Sequence, residues 1–396
     1  MNKLFFILLL VSTTPASAAV ITVEKDGSGD YTVIQDAVNA AASGDTIRIG
    51  PGRFFDGEIV STPGWTELVQ VLVRQDELTL IGSDSESTII GPDVPYYTFP
   101  GMNYGVESGS YWGSNLVRLS HIGFENLSYA ARGGPATDVI IDHCRFENNS
   151  YQVAYVEGGD IKVLNSDFKF EDKGNKSIFV SQCDSVEISD CRFDLPVAGS
   201  SNILLGLSAQ STTDVLIRKC VFTGGRSALK LTGNGLATVD SCTFSNQTLN
   251  VGHERAGMLI QGGHVIVKNT VFELQENAIM PIEHTSLELY NVQILDVSSA
   301  SIYSTHFDSL IARNCSFAHG PQYAIWQVFP CDQKTGELPH FDLTNNEWGT
   351  TDADEIASLI NTCSYIVDYI PYIGQEVAVD QVPFGSVKAM FRNAIR

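Results

Sequence analysis

One short segment brings three chemically active side chains together: His253-Glu254-Arg255 supplies a potential base, a carboxylate and a guanidinium in succession. It lies just before a predicted strand. Two more cations, Lys230 and Arg132, stand alone in other predicted strands. Imidazole and amine groups transfer protons at a reacting centre, and guanidinium groups neutralise anions. The sequence therefore offers candidates for proton transfer and for charge neutralisation.

Aromatic residues form a second group of candidates, because tyrosine and tryptophan rings bind ligands through apolar faces and polar edges. Residues 91–115 are rich in them, and Tyr111 and Trp112 are adjacent there. Long structured loops on a rigid scaffold commonly carry function. We expect these residues to form one aromatic insertion, either as part of a binding groove or packed on the scaffold as a lid.

An internal repeat indicates which secondary-structure elements position these residues. Short segments that end in a large apolar anchor recur every 22 to 31 residues. The anchors are Phe124, Phe146, Phe168, Phe193, Phe222, Phe244, Phe272, Ile294, Phe317 and Trp348. Alternating apolar residues before each anchor indicate strands. We predict an all-β fold, a single-stranded right-handed parallel β-helix of about ten coils stacked ~4.8 Å apart.

Two other positions of the repeat have their own residue types. Three residues before the anchor we expect a bend in the left-handed conformation, which asparagine tolerates best. This position holds Asn165, Asn269, Asn291, Asn314 and Asn345, with Asp190, His121, His143, Lys219 and Ser241 as substitutions. Two residues before the anchor we expect cysteines that face inward as small apolar side chains. These are Cys144, Cys191, Cys220, Cys242 and Cys315, whereas Cys331 and Cys363 lie outside the ladder and are the better disulfide candidates.

The N-terminal residues and the charge composition indicate where the protein is located and which partners it binds. Lys3, an apolar run and a small-residue site predict a signal peptide over residues 1–18, cleaved after Ala18, and hence a secreted or periplasmic protein. The net charge of −22, without a Lys/Arg cluster, argues against nucleic acid as a partner. No later apolar run is long enough to span a membrane. We expect a monomer that is not embedded in a membrane.

Both ends of the predicted β-helix carry caps. The segment "VEKDGSGDYTVIQDAVNAAASGDTIRIGPGRF" contains an amphipathic helix from about Thr32 to Ala42, which would cover the open end of the coil stack. It resembles the N-terminus of pectin methylesterases, and "NNEWGTTDADEIASLI" is similar to the closing coil of bacterial β-helix repeat proteins. The chain thus resembles the right-handed parallel β-helix superfamily of polysaccharide-active proteins. We assign the β-helix and its N-terminal cap to residues 19–348 and a C-terminal cap or tail to 349–396.

The catalytic motifs of the known families are mostly missing. The Gln-Asp-Thr, Asp-Phe-Ile-Phe-Gly and Gly-Arg-Pro-Trp segments of pectin methylesterases do not occur, nor does the Asp-Asp pair of polygalacturonases. Ile141-Asp142-His143 resembles the Trp-Ile-Asp-His stretch of pectate lyases. These three residues lie at a repeat bend, so a structural origin is the stronger interpretation.

The superfamily resemblance implies that substrate lies along the outer face of the first sheet. Aligning the coils places Arg132, Tyr155, Phe179, Lys230, Tyr303 and Trp326 on that outer row. We take the aromatic residues of this row, with Tyr111 and Trp112, as candidates for contact with a polysaccharide or glycan.

The resemblance implies, as the leading hypothesis, a lyase that cleaves a uronic-acid-containing polysaccharide by β-elimination. Lys230 is the first candidate for the base, and Arg132 and Arg255 would neutralise the sugar carboxylate. His253 would share proton transfer. Glu157, Glu254 and Glu283 would hold Ca²⁺ as a cofactor or act as acid/base groups in the alternative of a glycoside hydrolase. A non-catalytic β-helix that binds glycans or serves as a surface module is the competing class.

Overall fold

The computed structural model describes residues 18–62, 65–94, 102–108, 116–150, 152–170, 176–195, 205–233, 235–247, 256–305, 307–317, 323–327, 340–361, 366–370 and 373. The chain divides into two compact units, one ending at Lys169 and one beginning at Phe170. Each unit is a parallel β-helix, which confirms the predicted fold class. The predicted signal peptide falls outside the described residues except for Ala18. No helix within these ranges is long and apolar enough to cross a membrane.

The first unit has three parallel sheets. Its strands are, in chain order, β1 Val20–Val23, β2 Thr46–Ile49, β3 Gly52–Phe54, β4 Glu58–Thr62, β5 Trp65–Val73, β6 Glu77–Gly82, β7 Thr88–Ile90, β8 Met102–Ser108, β9 Leu116–Ser120, β10 Gly123–Glu125, β11 Tyr129–Gly133, β12 Asp138–Asp142, β13 Arg145–Glu147, β14 Gln152–Glu157, β15 Ile161–Leu164 and β16 Asp167–Lys169. The first sheet is β5–β8–β11–β14, with β4 added antiparallel to β5. The second is β1–β2–β6–β9–β12–β15 and the third β3–β7–β10–β13–β16.

The second unit repeats the same three sheets. Its strands are β17 Lys176–Ser181, β18 Ser185–Ser189, β19 Arg192–Asp194, β20 Leu205–Gln210, β21 Asp214–Arg218, β22 Val221–Thr223, β23 Ser227–Thr232, β24 Leu236–Asp240, β25 Thr243–Ser245, β26 Ala256–Lys268, β27 Val271–Tyr290, β28 Gln293–Ser304, β29 Phe307–Arg313, β30 Ser316–Phe317, β31 Tyr323–Gln327, β32 His340–Asp342, β33 Ile360–Asn361 and β34 Ile366–Asp368. The long strands β26, β27 and β28 each pass through more than one sheet. The first sheet contains β17, β20 and β23, and continues through these long strands to β31 and β33.

The anchors of the repeat form stacked aromatic ladders inside each unit. In the second unit Phe193, Phe222 and Phe244 stack with ring centroids 4.5 and 4.9 Å apart and planes within 5°. In the first unit Phe146 stacks on Phe124 and on Phe168 in the same way. All of these rings are buried, which confirms the predicted interior ladder. Apolar burial of this kind is the main stabilising term of the fold.

The bends of the repeat also have the predicted backbone. All ten residues at the bend position have positive φ, from 48° at Asn165 to 59° at Asn345. Side-chain hydrogen bonds join neighbouring bends: the Nδ2 of Asn269 donates to Asp240 at 2.9 Å, and the Nδ2 of Asn291 donates to Asn269 at 3.2 Å. The five ladder cysteines are buried, as predicted. Cys331 and Cys363 lie outside the described residues.

A short helix, α1 Ile34–Ala40, lies where the sequence predicts a cap. Its buried face contains Ile34, Ala37 and Val38. The Gln35 side chain accepts a hydrogen bond from the Leu72 amide at 2.7 Å and donates to the Leu72 carbonyl at 3.2 Å. The Gln35 side chain thus bonds to both the N–H and the C=O of Leu72. The pairing of β4 with β5 ends at Val69 and does not reach these groups. A second helix, α2 Ala353–Leu359, lies in the predicted C-terminal segment.

One part of the predicted aromatic insertion is a regular strand. Met102–Ser108 forms β8 of the first sheet, paired with β5 and β11, so the expectation of a single loop over 91–115 is wrong for these residues. Tyr104 is buried against Val69 and Leu72 of β5, and Val106 pairs with Val71 and Ala131. The glycines and tyrosines around residues 102–108 obscure the alternating pattern that would identify this strand in the sequence. Tyr111 and Trp112 lie outside the described residues.

The third sheet of the first unit carries an ion-pair network centred on Glu125. Arg53 and Arg145 both contact the Glu125 carboxylate, the latter at 2.5 Å, and the Glu125 side chain is only 15% exposed. Burial opposes ionisation, but the two guanidinium groups outweigh it and hold the pKa of Glu125 below its ordinary value of 4.5.

A pH-dependent stability follows from this network. Because the folded-state pKa of Glu125 is depressed, its contribution is present above pH 4.5 and is lost as pH falls through the folded-state value. We expect Glu125→Gln to lower the unfolding free energy by about 1–3 kcal/mol at neutral pH, and the deficit to shrink in acid. Urea denaturation at several pH values checks this. Glu86→Gln, which alters a 77% exposed partner of Arg145, is the control and should change little; a deficit independent of pH would contradict the prediction.

Candidate functional site

The first sheet of the first unit brings two predicted site residues side by side. Arg132 on β11 is in register with Tyr155 on β14 and, on its other side, with Glu107 on β8. Their neighbours Ala131 and Ala154 are buried, whereas Arg132 and Tyr155 are partly exposed. The predicted outer row is therefore present in this unit.

The guanidinium of Arg132 lies between two tyrosine rings. Its Cζ is 5.4 Å from the Tyr104 ring centroid and 5.8 Å from that of Tyr155. The Tyr104 ring stacks on Tyr129 at 4.9 Å, with planes 5° apart. Parallel stacking of neighbouring coils follows from the strand spacing, which brings equivalent side chains into contact. A cation over aromatic faces is stabilised electrostatically, and its long side chain is held in place.

Three carboxylates contact this arginine or the two tyrosines beside it. The Tyr104 hydroxyl donates to Glu67 Oε1 at 3.0 Å, and the Tyr155 hydroxyl donates to Glu157 Oε2 at 2.8 Å. Glu107, whose side chain is 7% exposed, forms an ion pair with Arg132 at 3.5 Å. We call these six residues the Arg132 cluster: Glu67, Tyr104, Glu107, Arg132, Tyr155 and Glu157.

The electrostatics of the cluster keep its phenols neutral and its guanidinium charged. Burial and the hydrogen bond to Glu157 raise the pKa of Tyr155 to about 12. Burial likewise raises the pKa of Tyr104 well above the ordinary value. Burial lowers the pKa of Arg132, but Glu107 and the neighbouring phenols outweigh it and the net shift is upward. At neutral pH the cluster therefore holds one fixed cation beside neutral phenols whose hydroxyls donate to Glu67 and Glu157.

The second unit carries the other predicted residues on one outer row. Strand register runs through Phe179, Ser208 and Lys230 to Leu259 and then to the position of Met280. Lys230 is partly exposed, whereas Leu259 and Met280 are buried in a hydrophobic cluster against which Tyr303 packs. The row thus places one amine among mostly uncharged neighbours.

Aromatic residues continue this row. Tyr303 is in register with Trp326. Their rings meet edge to face at 5.3 Å with an interplanar angle of 83°, and Tyr323 lies 5.3 Å from Trp326. These three rings are not stacked face to face, whereas Tyr104 and Tyr129 beside Arg132 are. They form an irregular aromatic surface suited to contact with an apolar ligand face.

A polar row lies two residues further along the same strands. Gln210, Thr232, Gln261 and Glu283 are in register, and the Thr232 hydroxyl donates to Gln261 Oε1 at 3.2 Å. Glu283 is exposed. Amide and hydroxyl groups in a row can exchange hydrogen bonds with ligand hydroxyls.

Several predicted site residues are not tested by the geometry. His253, Glu254 and Arg255 lie outside the described residues. Among the residues that the structure does describe, no group of three or more His, Cys, Asp and Glu side chains is arranged to hold a metal ion. The Ca²⁺ ligand set of Glu157, Glu254 and Glu283 therefore stays a prediction.

His143, the residue of the lyase-like stretch, lies at a left-handed bend with φ 51°. Its ring stacks on His121 at 4.9 Å, and Nδ1 is 2.8 Å from Asp142. The bend is part of the repeat, which supports the structural interpretation of the Ile141-Asp142-His143 resemblance.

Sequence reasoning missed three members of the Arg132 cluster: Glu67, Tyr104 and Glu107. Tyr104 and Glu107 lie in the stretch interpreted as an insertion, and Glu67 lies on the long strand β5 beside it. The pattern Val106-x-Ser108, which aligns with Val71-x-Val73, is the signal that identifies β8 as a coil of the repeat.

Comparisons with known proteins agree with the fold. A family model described as "Right handed beta helix region" matches residues 197–337. Pectinesterase 31 of Arabidopsis thaliana is 25% identical over 231 residues, which cover 53% of this chain and 66%, just under two thirds, of that protein.

Two solved structures are similar at the level of shape. The A-module of mannuronan C-5 epimerase AlgE6 from Azotobacter vinelandii has a TM-score of 0.45 and 12% identity, covering 84% of this chain and 92% of that one. DFA-IIIase from Arthrobacter chlorophenolicus A6 also has a TM-score of 0.45 and 12% identity, covering 91% and 100%. The chain is therefore similar to the right-handed β-helix family over residues 197–337 and, in a separate comparison, to a pectinesterase.

Proposed function

We propose that the protein is a polysaccharide-active β-helix that binds uronic-acid-containing chains on the outer face of its first sheet and cleaves them by β-elimination. The observation that supports this most directly is the guanidinium of Arg132, held between the rings of Tyr104 and Tyr155. A fixed, partly exposed guanidinium is a receptor for a sugar carboxylate. The sequence likeness to a pectinesterase is consistent with a ligand of this class.

The residues of the cluster fit two of the three tasks of β-elimination. Arg132 would neutralise the sugar carboxylate and so acidify the adjacent carbon-bound proton. Tyr155, whose pKa of about 12 keeps the phenol protonated, would turn its hydroxyl from Glu157 to the leaving glycosidic oxygen and donate its proton there as the bond to carbon breaks. Lys230, the base predicted from the sequence, lies in the outer row of the second unit and is kept as a separate candidate for proton abstraction.

A non-catalytic glycan-binding role is the second candidate, and one observation favours it. Each carboxylate of the Arg132 cluster has a protein partner: Tyr104 for Glu67, Arg132 for Glu107 and Tyr155 for Glu157. Groups held in this way are well suited to fixed recognition of a ligand. A glycoside hydrolase would instead use a pair of carboxylates on opposite sides of the bond.

One experiment separates these functions. The protein is incubated with pectate, esterified pectin, alginate and neutral glycans, with Ca²⁺ or with a chelator. Ultraviolet absorbance of unsaturated uronates and reducing ends are both recorded. We expect new absorbance on a uronate polymer and its loss in Lys230→Ala, because elimination creates a double bond conjugated with the carboxyl group.

The matched control is Lys162→Ala, which removes an exposed amine from the second sheet of the first unit. It should retain activity. Reducing ends without new absorbance would contradict elimination and favour hydrolysis. Binding without either signal would favour the non-catalytic candidate, and a lack of both binding and cleavage on every polymer would overturn the proposal.

A further inference from the structure

The Arg132 cluster has more negative than positive groups. Glu67, Glu107 and Glu157 provide three carboxylates against the single guanidinium of Arg132. They are distributed on both sides of β11, since Glu67 and Glu107 belong to β5 and β8 and Glu157 to β14. A ligand carboxylate that docks on Arg132 is therefore flanked by like charges in both directions along the stack of strands.

The rings of the cluster do little to offset this charge. Tyr104 packs against Val69 and Leu72 of β5, while β11 contributes Tyr129 and Arg132 to the same ring. The rings of Tyr104 and Tyr129 stack from strand to strand, so their faces contact one another, and the hydroxyls of Tyr104 and Tyr155 donate to Glu67 and Glu157. Recognition here depends on hydrogen bonds and charge rather than on stacking of a sugar on a ring face.

We propose, on the basis of the proposed function, that this cluster selects polysaccharides whose uronate carboxylates are sparse, either esterified or separated by neutral sugars, over fully charged polyuronates. One free carboxylate pairs with Arg132. The neighbouring sugars then meet Glu67 and Glu157, which accept hydrogen bonds from hydroxyl groups but repel a second carboxylate. The net charge of −22 adds a repulsive long-range field for densely charged chains.

The test compares pectins that share a backbone and differ only in methyl esterification. Binding of the protein to polygalacturonate and to highly esterified pectin is measured by isothermal calorimetry in chelator, so that no divalent cation bridges the charges. At about 20 mM salt we expect about tenfold tighter binding to the esterified chain. At about 300 mM salt we expect binding to polygalacturonate to strengthen, because salt screens the repulsion.

Glu157→Gln tests the assignment to a residue. Glutamine retains an acceptor for the Tyr155 hydroxyl and removes the charge, so we expect about tenfold tighter binding to polygalacturonate and hence a smaller preference for the esterified pectin. The matched control is Glu288→Gln on the second sheet of the second unit, where Tyr290 donates to Glu288 Oε2 at 2.8 Å with the same two-residue spacing. It removes the same net charge and should leave the preference unchanged.

The outcomes separate the two proposals. Equal or tighter binding to polygalacturonate at low salt, or an identical effect of the Glu288 and Glu157 variants, would overturn the selectivity while leaving a uronate ligand in place. Absence of binding to both pectins and to other uronate polymers would overturn the proposed function and this inference with it.

Discussion

Replacing Arg132 by glutamine is expected to weaken binding of an oligouronate by about 10- to 100-fold, the value of one charge-assisted hydrogen-bonded contact. The guanidinium is the only cation in the Arg132 cluster as described, so no other member takes over its role. Binding of a short, partly esterified oligogalacturonate by isothermal calorimetry measures the effect. A loss below threefold would contradict the assignment of Arg132 as the carboxylate receptor.

A second variant separates binding from folding, because Arg132→Gln also leaves Glu107 without its ion-pair partner. Arg132→Lys keeps the charge beside Glu107 but loses the planar guanidinium, so its unfolding free energy should be close to that of the parent while binding falls about tenfold. The matched surface control is Arg118→Gln, which breaks an ion pair with Glu77 at 2.5 Å on the second sheet. That variant should bind normally.

Truncation of Phe222 to alanine is expected to lower the unfolding free energy by about 3–5 kcal/mol. Its ring is fully buried between Phe193 and Phe244, with centroid distances of 4.5 and 4.9 Å, so its loss leaves a gap that two stacked neighbours cannot fill. Guanidinium denaturation followed by circular dichroism provides the measurement.

The control for this prediction lies on the same strand. Val221 precedes Phe222 on β22, faces the opposite side and is 40% exposed. Val221→Ala should cost less than about 1 kcal/mol. Equal losses in the two variants would show that the phenylalanine ladder does not dominate the local stability.

The repeat made much of the fold predictable. The anchors recur with alternating apolar neighbours, so the buried ladder could be assigned residue by residue. The bends were predictable for a separate reason: asparagine tolerates positive φ, and the position could then be followed to substitutions such as Lys219, which has φ 52°. Both signals are local and recur along the chain.

The candidate site was only half predictable. Arg132 and Tyr155 follow from alignment with the anchors, whereas Glu67 and Tyr104 do not, because they precede the first phenylalanine of the ladder at Phe124. Their contact is also made through long side chains from different strands, with the Tyr104 hydroxyl reaching Glu67 at 3.0 Å. A linear pattern does not specify which distant carboxylate a phenol reaches.

The hydrogen bonds of Gln35 with Leu72 have a consequence for self-association. A terminal coil with free amide and carbonyl groups is a template on which another molecule can add, strand upon strand, to give filaments. One side-chain amide occupies both groups of Leu72, in the manner of a missing neighbour strand. We therefore expect the cap to hinder the addition of another molecule at this edge of β5, although the polar side chain of Gln35 contributes little buried apolar area.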